Sequence, residues 1–393
     1  MHLISDSAEL TRICEDLATA PYVTVDTEFL RERTYWPQLC LVQMARPGGD
    51  GAILIDPLAE GMDLAPLHQL MADERVTKVF HAARQDVEIF AHFGEVIPRP
   101  LFDTQIASMV CGYGEQVGYE TLVRRIAKAS IDKSSRFTDW SRRPLSDKQL
   151  AYAAADVTHL RKIYESLNAQ LERTGRKEWV AEEMAILTDP ATYTVNPDEA
   201  WQRIKARSTN PRFLAVLRAL ARWREITAQA RNVPRSRILK DDALLEVATG
   251  APKDMEELSR MRLLQREARK PELAAEILAA VAEGQACPSS QLPQPPAQVR
   301  RREGSNAVAD LLKVFLKARS DEIGVASRLI APAAELEALA GDENVEELPV
   351  LKGWRREVFG ADALKLREGD TGLAAGPRGI HLIEVDPALT QKA

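Results

Sequence analysis

The stretch YVTVDTEFLRERTYWPQ (22–38) begins as an apolar run and ends as a polar one, with two acids, Asp26 and Glu28, at the changeover. Side chains two apart on a strand point to the same side. Val23, Val25 and Phe29 then share one face and the two carboxylates share the other. Carboxylates held together repel, and one of such a pair ordinarily keeps a proton, so the spacing raises the question of what the pair holds. Three further segments bear on it. In HAARQDVEIF (81–90), Asp86 stands in the first turns of a helix that follows a short strand. In YAAADVTHL (152–160), Tyr152 and Asp156 are four apart, one above the other on a helix face that can border a cleft. In LFDTQIAS (101–108), Asp103 precedes a helix and reads as its N-cap. Taken singly, each of these acids reads as structural or solvated. His81 reads as a strand-end packing residue first, with substrate contact the lesser alternative; His159, one turn past Asp156, could reach the site but reads first as a surface residue or one standing behind it.

The elements that must position these residues are legible in outline. A strand near 22–29, QLCLVQMA (38–45), the turn RPGGDG and AILIDP (52–57) form an antiparallel meander. A helix near 63–73, the strand TKVF (77–80) and helices near 84–93, 104–111 and 119–129 continue it as β-α units, predicting a mixed sheet flanked by helices. A longer helix runs from about 147 to 171. Ser146 and Gln149 form a capping-box pattern at its start, and Leu150, Ala153, Val157, Leu160, Tyr164 and Leu167 form its core stripe. Strand signals nearly vanish beyond residue 175. Residues 210–282 and 306–368 read as amphipathic helices, separated by the Pro-rich GQACPSSQLPQPPAQ, and the tail from Gly369 is weakly patterned.

At 393 residues the chain predicts two or three domains. The start MHLISDSAEL has neither the basic nor the apolar region of a signal peptide, and no apolar run approaches a membrane span. Four scattered cysteines suggest neither a disulfide framework nor a zinc site, so a reducing, cytoplasmic location is expected. A net charge of -6 argues against a general nucleic-acid binder. The charge is nevertheless segregated: residues 203–240 hold eleven Lys or Arg against Glu225 alone, and 124–143 hold seven against Asp132 and Asp139. These runs read either as solvated helix faces or as an anionic-ligand surface.

VDTEF, HAARQD, LFDTQIAS and DWSRRPLSDKQLAYAAADV together, in this order, resemble the DEDD exonuclease superfamily in its tyrosine subtype, and within it the ribonuclease D family. Residues 210–282 resemble the helical HRDC domain, and the stretch ending LKGWRREVFG resembles a second, divergent copy. The resemblance implies an α/β, ribonuclease H-like mixed sheet flanked by helices (the 3′-5′ exonuclease fold), followed by one or two all-α HRDC domains. The implied division is a nuclease domain at 1–172, a helical connector at 173–209, HRDC domains at 210–285 and 306–368, a Pro-rich linker at 286–305 and a tail at 369–393. It also implies that Asp26, Glu28, Asp86 and Asp156 bind two divalent ions. Asp26, Glu28 and Asp156 would hold the one that activates water, Asp26 would bridge to the second, and Asp86 would support the second. Tyr152 would hydrogen-bond the attacking water; a phenol is a poor base at neutral pH, so its role is positioning.

Physical chemistry agrees with that scheme. Phosphodiester hydrolysis needs an in-line nucleophile and relief of developing negative charge, and two ions about 4 Å apart provide both. Carboxylates without His or Cys suit Mg²⁺ or Mn²⁺ better than zinc. The expected activity is 3′-to-5′ exoribonuclease, releasing nucleoside 5′-monophosphates from a single-stranded RNA 3′ end, with tRNA precursors as the implied substrates. A nucleotide-driven motor is disfavoured because no G-x-x-x-x-G-K-[ST] occurs, and CGYGEQVG (111–118) has the wrong glycine spacing for a dinucleotide loop, so no nucleotide cofactor is expected. Two rivals stay open: a DNA exonuclease of the same superfamily, and a non-catalytic RNA-binding protein on a nuclease scaffold.

Overall fold

A computed structural model describes residues 2–49, 51–132, 134–264, 270–294, 302–342, 344–377 and 379–386. Its first part is a six-stranded sheet built from β1 (His2–Ile4), β2 (Tyr22–Leu30), β3 (Gln38–Ala45), β4 (Ile53–Ile55), β5 (Thr77–Phe80) and β6 (Leu101–Asp103). The strand order is β1-β4-β3-β2-β5-β6. β2, β3 and β4 form the antiparallel meander, while β5 and β6 continue parallel to β2. The sequence reading missed β1 and β6, each three residues long, and the helix α1 (Ser7–Leu17), capped by Asp6. The intervening helices are α2 (Ala65–Ala72), α3 (Arg84–Phe93), α4 (Thr104–Val110), α5 (Tyr119–Leu122) and α6 (Asp147–Thr174). The expected mixed sheet flanked by helices is the observed one.

Two features of the sheet create a site. β5 pairs with β2 only over Tyr22–Thr24, so the half of β2 that carries the acids projects past the end of β5. That is the carboxyl end of two adjacent parallel strands, where open α/β sheets place their ligands. α6 then runs antiparallel along the face of β2. The Tyr22 hydroxyl donates to Glu165 at 2.6 Å and the Thr24 hydroxyl to the Val157 carbonyl at 2.9 Å. Six residues of strand and thirteen of helix each cover about 20 Å, so Asp26 and Glu28 come level with Asp156 and Tyr152. The capping box at Ser146 and Gln149 is formed, and Trp140, Ala153 and Val157 pack against Cys40, Leu41 and Leu54 to hold the start of α6 on the sheet.

After α7 (Lys177–Leu187), the helices α8 (Pro211–Ala230), α9 (Arg235–Ile238), α10 (Asp241–Gly250), α11 (Met255–Ser259) and α12 (Pro271–Ala286) enclose a core of their own. Much of the basic run is consumed inside this unit. Arg212 donates to the carbonyls of Gln285 (2.8 Å) and Cys287 (2.6 Å) at the end of α12, Arg222 pairs with Asp198 and Glu283, and buried Arg224 pairs with Asp241. Arg203 lies close enough for its charge to act on Glu225, while Arg237 and Lys240 form no ion pair among the described residues. The unit is joined to the nuclease sheet through the β2–β3 loop. Tyr35 donates to Glu225, Arg235 pairs with the same carboxylate, and the Asn232 side chain accepts from the backbone of Tyr35 and Trp36 at 3.1 and 3.0 Å.

The last helices are α13 (Ser305–Ile323), α14 (Ser327–Ile330), α15 (Ala333–Gly341), α16 (Gly353–Arg355) and α17 (Ala361–Glu368). A long helix, a four-residue helix and a nine- or ten-residue helix thus occur twice, as α8–α9–α10 and as α13–α14–α15. The second set has no separate interior. Leu312, Phe315, Trp354 and Phe359 belong to the same core as Val23, Val25 and Phe80. Trp354 stacks on Trp179 of α7 with ring centroids 4.8 Å apart, and Arg355 pairs with buried Glu183 at 2.5 Å. The Ala326 amide donates to the Met109 carbonyl at 3.0 Å, and a Cβ at Gly112 (φ +80°) would sit 2.8 Å from the Gly324 carbonyl oxygen. Glycine at that point of the 111–118 loop is what lets the two parts meet. The weakly patterned tail is in fact an antiparallel hairpin of β7 (Thr371–Gly376) and β8 (Gly379–Glu384). Of the expected Pro-rich linker, 295–301 lie outside the described residues, as do 387–393 of the tail. No helix among the described residues is long and apolar enough to cross a membrane.

Candidate active site

A cavity of about 580 Å³ opens where β2, α3 and α6 converge, and it is lined by Asp26, Glu28, Asp86, Tyr152 and Asp156 among others. All five residues singled out in the sequence therefore reach one space. Asp26, Glu28 and Asp156 each bring a carboxylate oxygen to within 4.8 Å of the others. Asp86, from the first turn of α3, stands one step back and is buried. It accepts a 2.5 Å hydrogen bond from the Thr27 hydroxyl, so it is held by the residue between the two strand acids. Asp26 is oriented from the other side. Gln43 is its cross-strand partner in the β2–β3 register, and the Gln43 amide donates to Asp26 Oδ2 at 2.8 Å. A bulge between Glu28 and Phe29 ends the regular pairing beside the cluster.

The electrostatics are those of crowded anions. Burial and then Asp156 hold the Asp26 carboxyl well above the usual carboxylate range. Glu28 is pushed up to about 10 by burial, with Asp26, Asp156 and Asp86 adding to it. Asp156 is raised to about 7 by burial, with a hydrogen bond from Tyr152 and the charge of Arg136 opposing the shift. Asp86 is raised by burial and by Asp26. Tyr152 is driven above its ordinary value by burial and by Asp156, Glu28 and Asp26, which keeps its proton on.

Asp103 takes the capping role expected of it. Its carboxylate accepts from the amides of Gln105, Ala82 and Ala83 and is not among the residues lining the cavity. His159 also lies outside that lining, whereas His81 is part of it. His81 Nδ1 lies 3.0 Å from Thr104 Oγ1, which itself donates to the Phe80 carbonyl, so Nδ1 carries the proton in that contact. Sequence reasoning missed Gln43, Thr27, Tyr119, Arg136 and Phe137. Tyr119 donates to the Ala155 carbonyl at 3.0 Å and braces α6 one residue before Asp156. The signal for Gln43 was present in the meander, since once the hairpin register is drawn it falls opposite Asp26.

The donor set fits hard divalent cations. It consists of carboxylates alone, from two elements, and their mutual repulsion is what a cation would relieve. An acidic cavity at the carboxyl end of a mixed sheet, crossed by a helix bearing Y-x-x-x-D, defines a nuclease of the 3′-5′ exonuclease class. Residues 1–172 match the family described as 3′-5′ exonuclease, and residues 213–281 match the HRDC domain. Ribonuclease D of Jannaschia sp. (strain CCS1) is 55% identical over 98% of this chain and 100% of its own length. Ribonuclease D of Granulibacter bethesdensis is 50% identical over 97% of this chain and 96% of its own. The crystal structure of Escherichia coli RNase D, described as an exoribonuclease involved in structured RNA processing, superposes with a TM-score of 0.81 at 30% identity, covering 93% of this chain and 98% of that one. The chain belongs to the ribonuclease D family.

Proposed function

We propose that this 3′-5′ exoribonuclease trims the 3′ ends of structured RNAs, tRNA precursors foremost, with Asp26, Glu28, Asp86, Tyr152 and Asp156 as its catalytic set. The observation that carries the reading is the meeting of Asp26, Glu28 and Asp156 within 4.8 Å, beside Asp86 and Tyr152 in one cavity. Two divalent cations, Mg²⁺ or Mn²⁺, would be held by the four carboxylates and would supply a nucleophile at neutral pH together with relief of charge on the phosphate. Asp26 would serve both cations, and Gln43 keeps it in orientation. Asp86 acts from further back, through its fixed contact with Thr27. Tyr152, hydrogen-bonded to Asp156 and firmly protonated, orients the attacking water and does not remove its proton. Attack on phosphorus breaks the bond to the 3′ oxygen of the preceding nucleotide and leaves the phosphate on the released nucleoside, a 5′-monophosphate.

The sequence-drawn boundaries at 172, 210 and 285 belong to this proposal, as does a second HRDC-like unit at 306–368, which is supported by the repeated order of helices. A cytoplasmic location accords with four cysteines that form no disulfide. The test is digestion of matched 5′-labelled RNA and DNA oligonucleotides with Mg²⁺ or with EDTA. The expected result is a ladder shortening from the RNA 3′ end, abolished by EDTA. Equal digestion of DNA would favour the DNA exonuclease, and RNA binding without cutting would favour the retired scaffold.

A further inference from the structure

The rim of the cavity carries an aromatic ring that the catalytic set does not use. Phe137 is 90% exposed, yet it lines the same cavity as the carboxylates. Its loop is tied down on both sides. Ser135 and Trp140 are buried, and the Thr138 hydroxyl donates to the Ser135 carbonyl at 2.8 Å and accepts from Gln149 of α6 at 3.2 Å. Further along, Arg143 makes two 2.6 Å bonds to the buried carboxylate of Asp56 and a 2.7 Å bond to the Cys40 carbonyl. The ring is thus held out by an anchored loop. Beside it, Arg136 also lines the cavity, its guanidinium carbon 5.1 Å from the Phe137 ring centroid. Of the two, Arg136 is the cation that faces Glu28 and Asp156.

An isolated exposed phenylalanine is ordinary on a protein surface. An aromatic face beside a guanidinium, at the mouth of a cavity large enough for a nucleotide, is the combination by which proteins hold single-stranded nucleic acid without reading its sequence. We propose that Phe137 is a stacking platform for a base at the 3′ end of the RNA, and that Arg136 beside it contacts the phosphate next to that base. This rests on the exoribonuclease reading above. It gives the enzyme a hold on any base, since every base offers a π-face. It also favours an unstacked 3′ end, because a base stacked inside a duplex has both faces covered by its neighbours.

The test uses the full chain, Mg²⁺ and short single-stranded RNA. One oligonucleotide is unmodified, and two others lack the base of the last or the penultimate nucleotide. Stacking on an aromatic side chain is worth a factor of roughly 5 to 150. Phe137→Ala should lose that factor in kcat/KM on the unmodified RNA, chiefly through KM, and Phe137→Trp should regain it. The unchanged enzyme should lose a similar factor on one of the two abasic substrates, and Phe137→Ala should lose nothing more there. Equal rates for Phe137→Ala and the unchanged enzyme on unmodified RNA would overturn the proposal, as would losses from the substitution and the missing base that multiply in full. If the unchanged chain cuts none of the RNAs, the exoribonuclease reading itself fails and this proposal falls with it.

Discussion

Replacing Glu28 by Gln should stabilise the cation-free protein while disabling it. The Glu28 carboxyl is pushed from 4.5 up to about 10 by burial, with neighbouring acids adding to the shift. At pH 7 it is therefore protonated in the folded, cation-free chain and ionised in the unfolded one. A folded pKa raised in this way gives a stability contribution that is complete below the unfolded value and is lost as pH climbs towards the folded value. Between 4.5 and pH 7 the loss amounts to about 3 kcal/mol at 1.36 kcal/mol per unit. Glutamine keeps the shape and is neutral in both states, so Glu28→Gln escapes the loss. In EDTA the variant should be more stable by about 3 kcal/mol at pH 7, with the difference shrinking to nothing near pH 4.5. With Mg²⁺ the order reverses in function. The unchanged protein should gain thermal stability from the cation and the variant little, and activity should drop by about 10³-fold. Thermal melts at pH 5, 7 and 8, each with EDTA and with Mg²⁺, read every arm. A variant that is less stable than the parent throughout in EDTA, or that keeps the full Mg²⁺-induced rise, would refute the reasoning.

Tyr152→Phe removes only the water-orienting hydroxyl. Activity should fall by roughly 10- to 10³-fold while the Mg²⁺-induced melting shift persists, and loss of that shift would make Tyr152 a support of the cluster. Trp354→Ala empties a buried stack against Trp179 and should cost about 3–5 kcal/mol. Because the core is shared, hydrogen-exchange protection of β2 and β3 amides should fall with it; unchanged protection there would separate the two parts. Joint replacement of Arg237 and Lys240 by Ala should reduce the slope of log affinity against log salt for single-stranded RNA by about 1.4. Arg212→Ala should leave the slope alone and weaken the fold, since that side chain is engaged by the carbonyls at the end of α12.

What could be read in the sequence was local and periodic. Asp26 and Glu28 on a half-apolar strand, the Ser146 and Gln149 capping box, the stripe of α6 and the capping Asp103 all announce themselves within a few residues. β1 and β6 did not, because, unlike the equally short β4, which an apolar run after a glycine turn marks, they carry no such signal and draw their regularity from the neighbouring strand. The tail hairpin escaped for a related reason. Its strands contain three glycines and lie against α17 and α13, so its pattern is set by what it covers. The basic run of 203–240 was counted correctly but its use was not legible. Whether an arginine faces solvent or a helix end depends on which acids and carbonyls the fold brings beside it, as Arg222 with Glu283 and Arg224 with Asp241 illustrate. The fusion of α13–α17 with the nuclease core was hidden for the same reason, since amphipathic helices declare an apolar face without naming its partner.

That fusion bears on how the enzyme comes into being. Leu312, Phe359 and Leu366 complete the interior that Val23 and Val25 begin. The ribosome delivers these residues far apart in time, because they lie far apart along the chain. A nascent chain stopped in the α8–α12 unit has the whole acidic cluster but lacks the helices that pack against α4 and α7. Such a chain is what chaperones and proteases select. Burial of this shared core has to wait until α13–α17 have been made, so a chain stopped before them should be cut by protease where the longer chain is not.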